Sequence, residues 1–335
     1  MVRDQTGRVG VVAIGRNEGE RLRRCLESTI PLADRVVYVD SGSSDGSAAL
    51  ARALGATVID LDMSRPFTAA RARNAGLERL RALDSAVELV QFVDGDCEVA
   101  PGWMAAAVAA LASDSGVAVV CGRRRERHPD ATIYNRLCDL EWDTLVGEAL
   151  ACGGDAMMRI PALADVGGYD ESLIAGEEPD LCLRLRQRGH RVLRLAVEMT
   201  VHDAAMTRFG QWWRRSVRAG HAFAEGAARH GRTPERHWVR ETRSLVFWGA
   251  ALPLGGLLLL PATQGASLAA MLAAYAIQFG RIYRWERRRG RNAADARTLA
   301  AFLLLAKFPE FQGAAQYALL ALAGRRSNVI DYKGS

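Results

Sequence analysis

What most restricts the fold of this chain is an alternation running through roughly its first 120 residues, in which short β-rich apolar runs are separated by segments with helical spacing. Val9 to Ile14, Val36 to Val39, Thr57 to Leu61, Leu89 to Val93 and Val117 to Cys121 read as buried strands, with helices at about 47–54, 68–82 and 102–112. After the first strand, Leu22, Cys25, Leu26 and Ile30 recur at helical spacing among charged residues, giving one apolar face to lay on a sheet. Strands joined by crossover helices predict an α/β, Rossmann-like domain with a mainly parallel sheet flanked by helices.

Three of these strands end in polar clusters: Gly15-Arg16-Asn17-Glu18, Asp40-Ser41-Gly42-Ser43-Ser44-Asp45-Gly46 and Asp94-Gly95-Asp96. In open α/β sheets ligands bind beyond the carboxyl ends of the strands, so the three clusters are expected to meet at one crevice. Asp94 and Asp96 can grip a divalent cation through oxygen while leaving positions for a diphosphate, and Gly95 lets the backbone bend between them. Taken alone, the same pair fits a solvated acidic turn. Asp40 is placed to accept a hydrogen bond from a base or ribose, or else to hold a Ser/Gly-rich turn; Asp45 reads as a helix cap. Arg71 and Arg73 lie on the third helix, where a guanidinium reaches phosphate or base unless that face is simply solvated; Arg73 is the better candidate.

Glu177 and Glu178 precede Pro179 at a helix start, near the positive end of the dipole. One of them can take a proton from an acceptor hydroxyl, or both merely favour the helix start.

A charged fraction of 24% and a hydrophobic fraction of 49% exclude extended disorder. The net charge of +6 suits an anionic partner without choosing among nucleotide sugar, lipid head group and nucleic acid. No nucleic-acid-binding motif accompanies that charge, so no such partner is expected. Six scattered cysteines, with no CxxC pair and no zinc-like spacing to histidine, fit a reduced cytosolic compartment, and no secretory signal is expected.

From about residue 245 the pattern changes. Leu245 to Ala262 and Ala266 to Ile282 are apolar stretches, each barely long enough to cross a bilayer. Arg281, Arg284, Arg287, Arg288, Arg289 and Arg291 crowd the far end of the second, which predicts a helical hairpin with both ends cytosolic. Leu299 to Leu322, interrupted by Lys307, Pro309 and Glu310 and followed by Arg325 and Arg326, suggests a re-entrant or interfacial hairpin. Core helices of a second soluble domain are the alternative. The expected division is 1–240 for a nucleotide-sugar domain and 241–335 for a helical membrane-associated region.

The runs VVAIGRNEGERLRRCLES, VYVDSGSSDGS, ARNAG (Ala72 to Gly76), VDGD (Val93 to Asp96), CGGDAMMR and VGGYDE (between Cys152 and Glu171), and GEEPDLCLRLRQRGHRV from Gly176 resemble the inverting family-2 glycosyltransferases of GT-A fold. The motifs stand in the family's order and cover residues 9 to about 220. The remainder resembles the C-terminal membrane anchor of some relatives. The resemblance implies that Glu18 and Asp40 hold the nucleoside, that Arg73 contacts base or phosphate, and that Asp94 and Asp96 hold the metal-diphosphate and sugar. It places Gly153, Gly154 and Asp155 on the acceptor side. Where the family commonly has Glu-Asp this chain has Glu177-Glu178, so Glu178 would be the catalytic base with Glu177 in reserve. His202 lies where some relatives supply a further metal or phosphate contact, although a lone histidine is more often simply hydrogen-bonded.

Gln211-Trp212-Trp213-Arg214-Arg215 is similar to an element that closes over the diphosphate in membrane-bound synthases, or supplies interfacial anchors. The run Arg123, Arg124, Arg125 and Arg127 fits an anionic acceptor or lipid, or a solvated loop. The implied activity is metal-dependent (Mg or Mn), inverting transfer from a nucleotide-diphosphate sugar to a hydroxyl acceptor, lipid-linked or membrane-proximal, in glycan or glycolipid biosynthesis. It would occur at the inner or cytoplasmic membrane, with the catalytic domain in the cytosol. A sugar-nucleotide pyrophosphorylase and a non-catalytic scaffold are the competing readings. The first wants a glycine-rich basic loop where Gly15-Arg16-Asn17-Glu18 stands, and the second is at odds with intact carboxylates.

Overall fold

Six consecutive buried residues leave the first apolar run no solvent face, and it becomes an inner strand, β1 (Arg8–Gly15). The computed structural model describes residues 8–325, so Arg326 lies outside the described residues. Helix α1 (Glu20–Thr29) follows, then β2 (Arg35–Asp40), α2 (Ser47–Ala53), β3 (Thr57–Asp60), α3 (Ala69–Leu83) and β4 (Val87–Asp94). β1 lies between β2 and β4, all parallel, with Gly15 opposite Asp40 and Ile14 opposite Asp94. Their carboxyl ends are therefore level. The three polar clusters are carried by neighbouring strand ends, as the sequence predicts. α3 lies tight against β1 because Gly76 has no side chain: a Cβ there would sit 2.3 Å from Val12 Cγ1.

The second half of the sheet departs from expectation. It comprises β5 (Cys97–Val99), α4 (Trp103–Ser113), β6 (Val117–Glu126), β7 (Gly147–Ala149), β8 (Ala156–Arg159), α6 (Ile160–Asp165), α7 (Glu177–Gln187) and β9 (Arg191–His202), with α5 (Ile133–Glu141) between β6 and β7. The order is β3-β2-β1-β4-β8-β6-β9-β5, with β7 added on β9. β8 runs antiparallel to both β4 and β6, and β9 runs antiparallel to β5 and β7. Among the described residues the sheet is thus mixed rather than mainly parallel. β5, β7 and β8 span three or four residues each, too short for a period to show in sequence. The arginine run is not a loop; it continues β6 to Glu126.

The chain divides into two compact units, one of residues up to Asp130 with Glu141–Ala205, the other of Ala131–Leu140 with Met206 onward. The second holds α8 (Phe209–His230), α9 (Val239–Val246), a π-helical turn (Phe247–Ala251), α10 (Leu252–Leu258), α11 (Ala266–Arg288), α12 (Ala293–Leu305) and α13 (Lys307–Leu322). The division falls after Ala205 instead of near 240 because α8 packs backbone to backbone on α13. A Cβ at Gly220 would lie 1.9 Å from the Glu310 carbonyl oxygen, and one at Gly313 1.9 Å from that of Val217. Arg136 of α5 pairs with Asp295 at 2.6 Å, tying the inserted segment to α12.

Trp212 is wholly interior to this unit, edge-on to Phe302 at 5.0 Å, so it serves as core rather than as an interfacial anchor.

No helix among the described residues is long and apolar enough to cross a membrane. The stretch expected as a first span lies on one uninterrupted helical run, α9 through the π turn into α10, which starts at Val239 with Arg240, Glu241 and Arg243 in its first turns and stops at Leu258. α11 is long enough, but Arg281, Arg284, Arg287 and Arg288 occupy its last turns. The expected hairpin of spanning helices is therefore not what these residues build. Leu254, Leu257, Leu258, Leu272 and Ile277 are nonetheless exposed on α10 and α11, and Leu259 just beyond α10.

Candidate functional site

The site belongs to the first unit and grows from the end of β4. Gly95 donates its N–H to the Ile14 carbonyl at 2.8 Å, and a Cβ there would lie 3.1 Å from that oxygen, so the turn between Asp94 and Asp96 takes a residue without a side chain. The chain then enters β5, which pairs antiparallel with β9 so that Cys97 stands opposite His202. This register, invisible in the sequence, sets His202 Nε2 3.1 Å from Asp96 Oδ2. Both side chains are buried, Trp142 lies edge-on to the imidazole at 4.8 Å, and His202 Nδ1 has no hydrogen-bond partner.

Arg73 is the hub of the cluster. The Thr68 side chain caps α3 by accepting from the Arg71 N–H, and the close seat of α3 on β1 fixes the helix over the sheet. The Arg73 guanidinium, 2% exposed, reaches Asp94 Oδ1 at 2.9 Å, Glu177 Oε1 at 3.1 Å and Glu178 Oε1 at 2.8 Å, above the Tyr169 ring. The two glutamates form the first turn of α7, which starts after Gly176 at φ 82°, a left-handed conformation that suits glycine. Burial, seconded by the neighbouring charge of Glu177, pushes the Glu178 carboxyl up to about 7 against the pull of Arg73. Arg71, by contrast, donates to the carbonyls of Asp62, Arg65 and Pro66 and holds the loop before α3.

Asp155 has no exposed area. It accepts from the Asp94 N–H at 3.0 Å and the Thr200 hydroxyl at 2.7 Å, and pairs with Arg124 at 2.8 Å. A side chain so enclosed presents no surface to an acceptor; it holds Asp94 in place from beneath. Gly154 is pressed against the cluster: a Cβ would fall 2.6 Å from Asp94 Oδ2 and 2.8 Å from Arg73 Nη2. A Cβ at Gly153 would lie 3.9 Å from Arg124 Nη2.

Arg124 joins this cluster, although sequence reasoning left it inside an undifferentiated basic run. It also approaches Asp94 Oδ2 at 3.6 Å and lies over Trp142, while Arg125 pairs with Glu198 on the exposed side.

The remaining expected residues sit at the ends of β1 and β2. Asp40 is buried and its oxygens are engaged locally: Oδ2 accepts from the N–H groups of Gly42 and Ser43 at 3.1 and 2.8 Å, and Oδ1 from the Tyr38 hydroxyl at 3.1 Å. It shapes the loop after β2. Glu18 pairs with Arg21 at 2.8 Å, and its Cγ would lie 3.4 Å from a Cβ at Gly95, so it flanks the Asp94–Asp96 turn. Asp45 accepts from the Ser47 N–H at 3.0 Å, as a helix cap does.

The geometry therefore gathers Arg73, Asp94, Asp96, Asp155, Glu177, Glu178 and His202 into one continuous network. Two groups of ligand atoms lie within 4.8 Å of one another, Asp96–Cys97–His202 and Asp94–Cys97–Asp155. The second is faced by the Arg124 guanidinium, whereas the first contains a half-satisfied buried imidazole, so the residues present fit a divalent cation best on the Asp96 side.

Residues 11–157 match the family described as Glycosyl transferase family 2. The matched segment contains Asp40, Arg73, Asp94, Asp96 and Asp155, while Glu177, Glu178 and His202 lie beyond it. A Pre-mycofactocin glycosyltransferase of Mycobacterium tuberculosis is 29% identical over 265 residues, 73% of this chain and 51% of that protein, so the chain spans about half its length. Glycosyltransferase AglE of Haloferax volcanii is 25% identical over 225 residues, 63% of this chain and 71% of that protein. Mannosyltransferase PcManGT from Pyrobaculum calidifontis, solved in complex with GDP-Man and Mn2+, superposes with a TM-score of 0.55 at 22% identity, covering 96% of this chain and 87% of that chain. This last likeness carries the fold, a mixed GT-A-like sheet flanked by helices.

Proposed function

We propose that this chain transfers a sugar, with inversion, from a nucleotide-diphosphate donor to a hydroxyl acceptor in glycan or glycolipid biosynthesis. The observation that carries the reading is the Arg73 bridge, which sets a buried carboxylate of raised pKa one guanidinium away from Asp94. Glu178 takes the proton of the acceptor hydroxyl, whose oxygen attacks the anomeric carbon as the bond to the diphosphate breaks on the opposite face. A single displacement of this kind inverts the anomeric centre. Arg73 holds Glu178 and Asp94 in register, and Asp155 fixes the backbone from which Asp94 projects. Asp94, Asp96 and His202 would hold a divalent cation, Mg or Mn, which when bound supplies positive charge to the departing diphosphate. That PcManGT was solved with GDP-Man and Mn2+ supports this donor class and cation. Glu18 and Asp40, at neighbouring strand ends, are the candidate nucleoside contacts, and Gly153 and Gly154 the acceptor-side backbone.

The acceptor we propose is lipid-linked or membrane-proximal, met at the cytoplasmic membrane with the first unit in the cytosol. Support comes from the exposed leucines of α10 and the arginines closing α11, which suit a surface seated in the lipid interface rather than across it.

A panel of nucleotide sugars tests the proposal. Purified protein should release nucleotide diphosphate from at least one donor, only with Mg2+ or Mn2+ present, and give a product of inverted anomeric configuration. No release from any donor with either metal would overturn it.

A further inference from the structure

Cys97 follows the Asp94-Gly95-Asp96 turn directly, and none of the chemistry above uses its thiol. In an antiparallel pair, directly opposed side chains lie on one face with Cβ atoms about 5 Å apart. The pairing of Cys97 with His202 therefore puts sulfur and imidazole side by side. Cys97 Sγ is 3.7 Å from Asp96 Oδ1, His202 Nε2 is 3.1 Å from Asp96 Oδ2, and a ligand atom from each of the three residues lies within 4.8 Å of the others. With metal–ligand bonds of about 2.0–2.3 Å, the edges of a tetrahedral site measure roughly 3.3–3.8 Å, so ligand atoms already within 4.8 Å of one another need only draw together slightly. All three side chains are buried, and one ring nitrogen of His202 has no hydrogen-bond partner.

We infer that Asp96, Cys97 and His202 form a mixed oxygen, sulfur and nitrogen site for a borderline or soft divalent cation such as Zn2+ or Cd2+. The inference rests on the proposed metal-dependent site and deepens it: a thiolate among the ligands moves its preference away from the hard cations Mg2+ and Mn2+. Sequence spacing gives no hint of the site, because sheet register brings cysteine and histidine together. Binding breaks the Cys97 S–H bond and forms a sulfur–metal bond, with the proton released to solvent. Three protein ligands leave a tetrahedral ion one open position, so Zn2+ lodged here offers a diphosphate fewer contacts than six-coordinate Mg2+ does and inhibits transfer.

The whole protein is titrated with Cd2+ while the ultraviolet sulfur-to-cadmium charge-transfer band is recorded. Wild type should develop the band, Cys97→Ser should lose it, and Cys152→Ser should keep it, which excludes the Cys152–Cys182 thiol pair as its source. His202→Gln, with the thiol in place, should weaken Cd2+ binding at least about tenfold, the scale set by loss of even an outer-shell partner, and serves if Cys97→Ser fails to fold. No band in wild type, a band that survives Cys97→Ser, or unchanged affinity in His202→Gln overturns the site. Nucleotide release with Mg2+ is read on a cadmium-free portion of the same wild-type preparation. Turnover without the band overturns the sulfur ligand alone, and the band without turnover overturns the transferase reading alone.

Discussion

Arg73 Nη1 lies 2.8 Å from Glu178 Oε1 while Nη2 of the same guanidinium lies 2.9 Å from Asp94 Oδ1, so one rigid fork sets the spacing of two carboxylates that come from distant parts of the chain. A planar group with fixed nitrogens sets a separation that two flexible carboxylates could not keep by themselves.

The first expectation concerns pH. With the Glu178 carboxyl raised to about 7, the fraction able to accept a proton grows with pH, so kcat should rise along a limb centred near neutrality. A raised carboxyl also makes folding stability highest at low pH and lowers it as pH climbs through the folded value, so Glu178→Gln should stabilise the protein relative to wild type above about 7. Turnover in that variant should fall by about 10²–10⁴-fold. A pH–rate profile with paired denaturant melts checks both, and wild-type rates in Glu178→Gln would remove Glu178 as the base.

Replacing the fork tests it from the other side. Arg73→Lys keeps a charge but cannot reach both carboxylates at once, so kcat should drop and the rising limb should move to higher pH as Glu178 loses its counter-charge. Arg73→Gln leaves buried carboxylates uncompensated and should lower stability by about 3–5 kcal/mol. A limb that stays put in Arg73→Lys would mean that the guanidinium does not govern the base.

The half of the sheet that was legible in sequence is the half made of long buried runs: β1, β2 and β4 each declare themselves by five or more buried residues, and their polar ends locate Asp40 and Asp94. What was not legible depends on pairing. Asp155, expected on the acceptor side, is placed by the pairing of β8 with β4 and becomes the peg under Asp94. Arg124 is hidden among three other arginines until β6 is known to continue past Cys121. The first apolar length is cut short where α10 stops at Leu258 and the second is closed by the arginines of α11, and apolar length alone cannot register either.

Gly154 is the position where crowding should be read most directly. A methyl group there meets Asp94 Oδ2 at 2.6 Å and Arg73 Nη2 at 2.8 Å, on two side chains already paired through Asp94 Oδ1. Gly154→Ala must therefore displace the Arg73–Asp94 pair, lowering stability by about 1–3 kcal/mol as overpacking does and reducing turnover more than the stability loss explains. Gly153→Ala, whose nearest neighbour is 3.9 Å away, should be nearly silent in the melt. Thermal melts and kcat/KM for the pair of variants separate the two, and equal behaviour would show that the cluster yields.

The last expectation follows from the surface of α10. Leu257 and Leu258 are 56% and 78% exposed, and α11 ends in Arg287 and Arg288, so apolar and basic groups are offered together on a unit with no spanning helix among its described residues. Interfacial seating of this sort adds buried apolar area to attraction for anionic lipid, the latter worth about 1 kcal/mol for each basic residue near the surface. Wild type should therefore sediment with vesicles containing phosphatidylserine, less so with neutral vesicles, and high salt should release part of it. Leu257→Glu with Leu258→Glu should abolish sedimentation on both, because a charge replaces the inserted group, whereas Arg287→Gln with Arg288→Gln should cost only the preference for anionic lipid. Because the two pairs fail differently, the apolar and electrostatic parts can be told apart, and a wild-type protein that leaves both kinds of vesicle untouched would detach the proposed acceptor from any membrane.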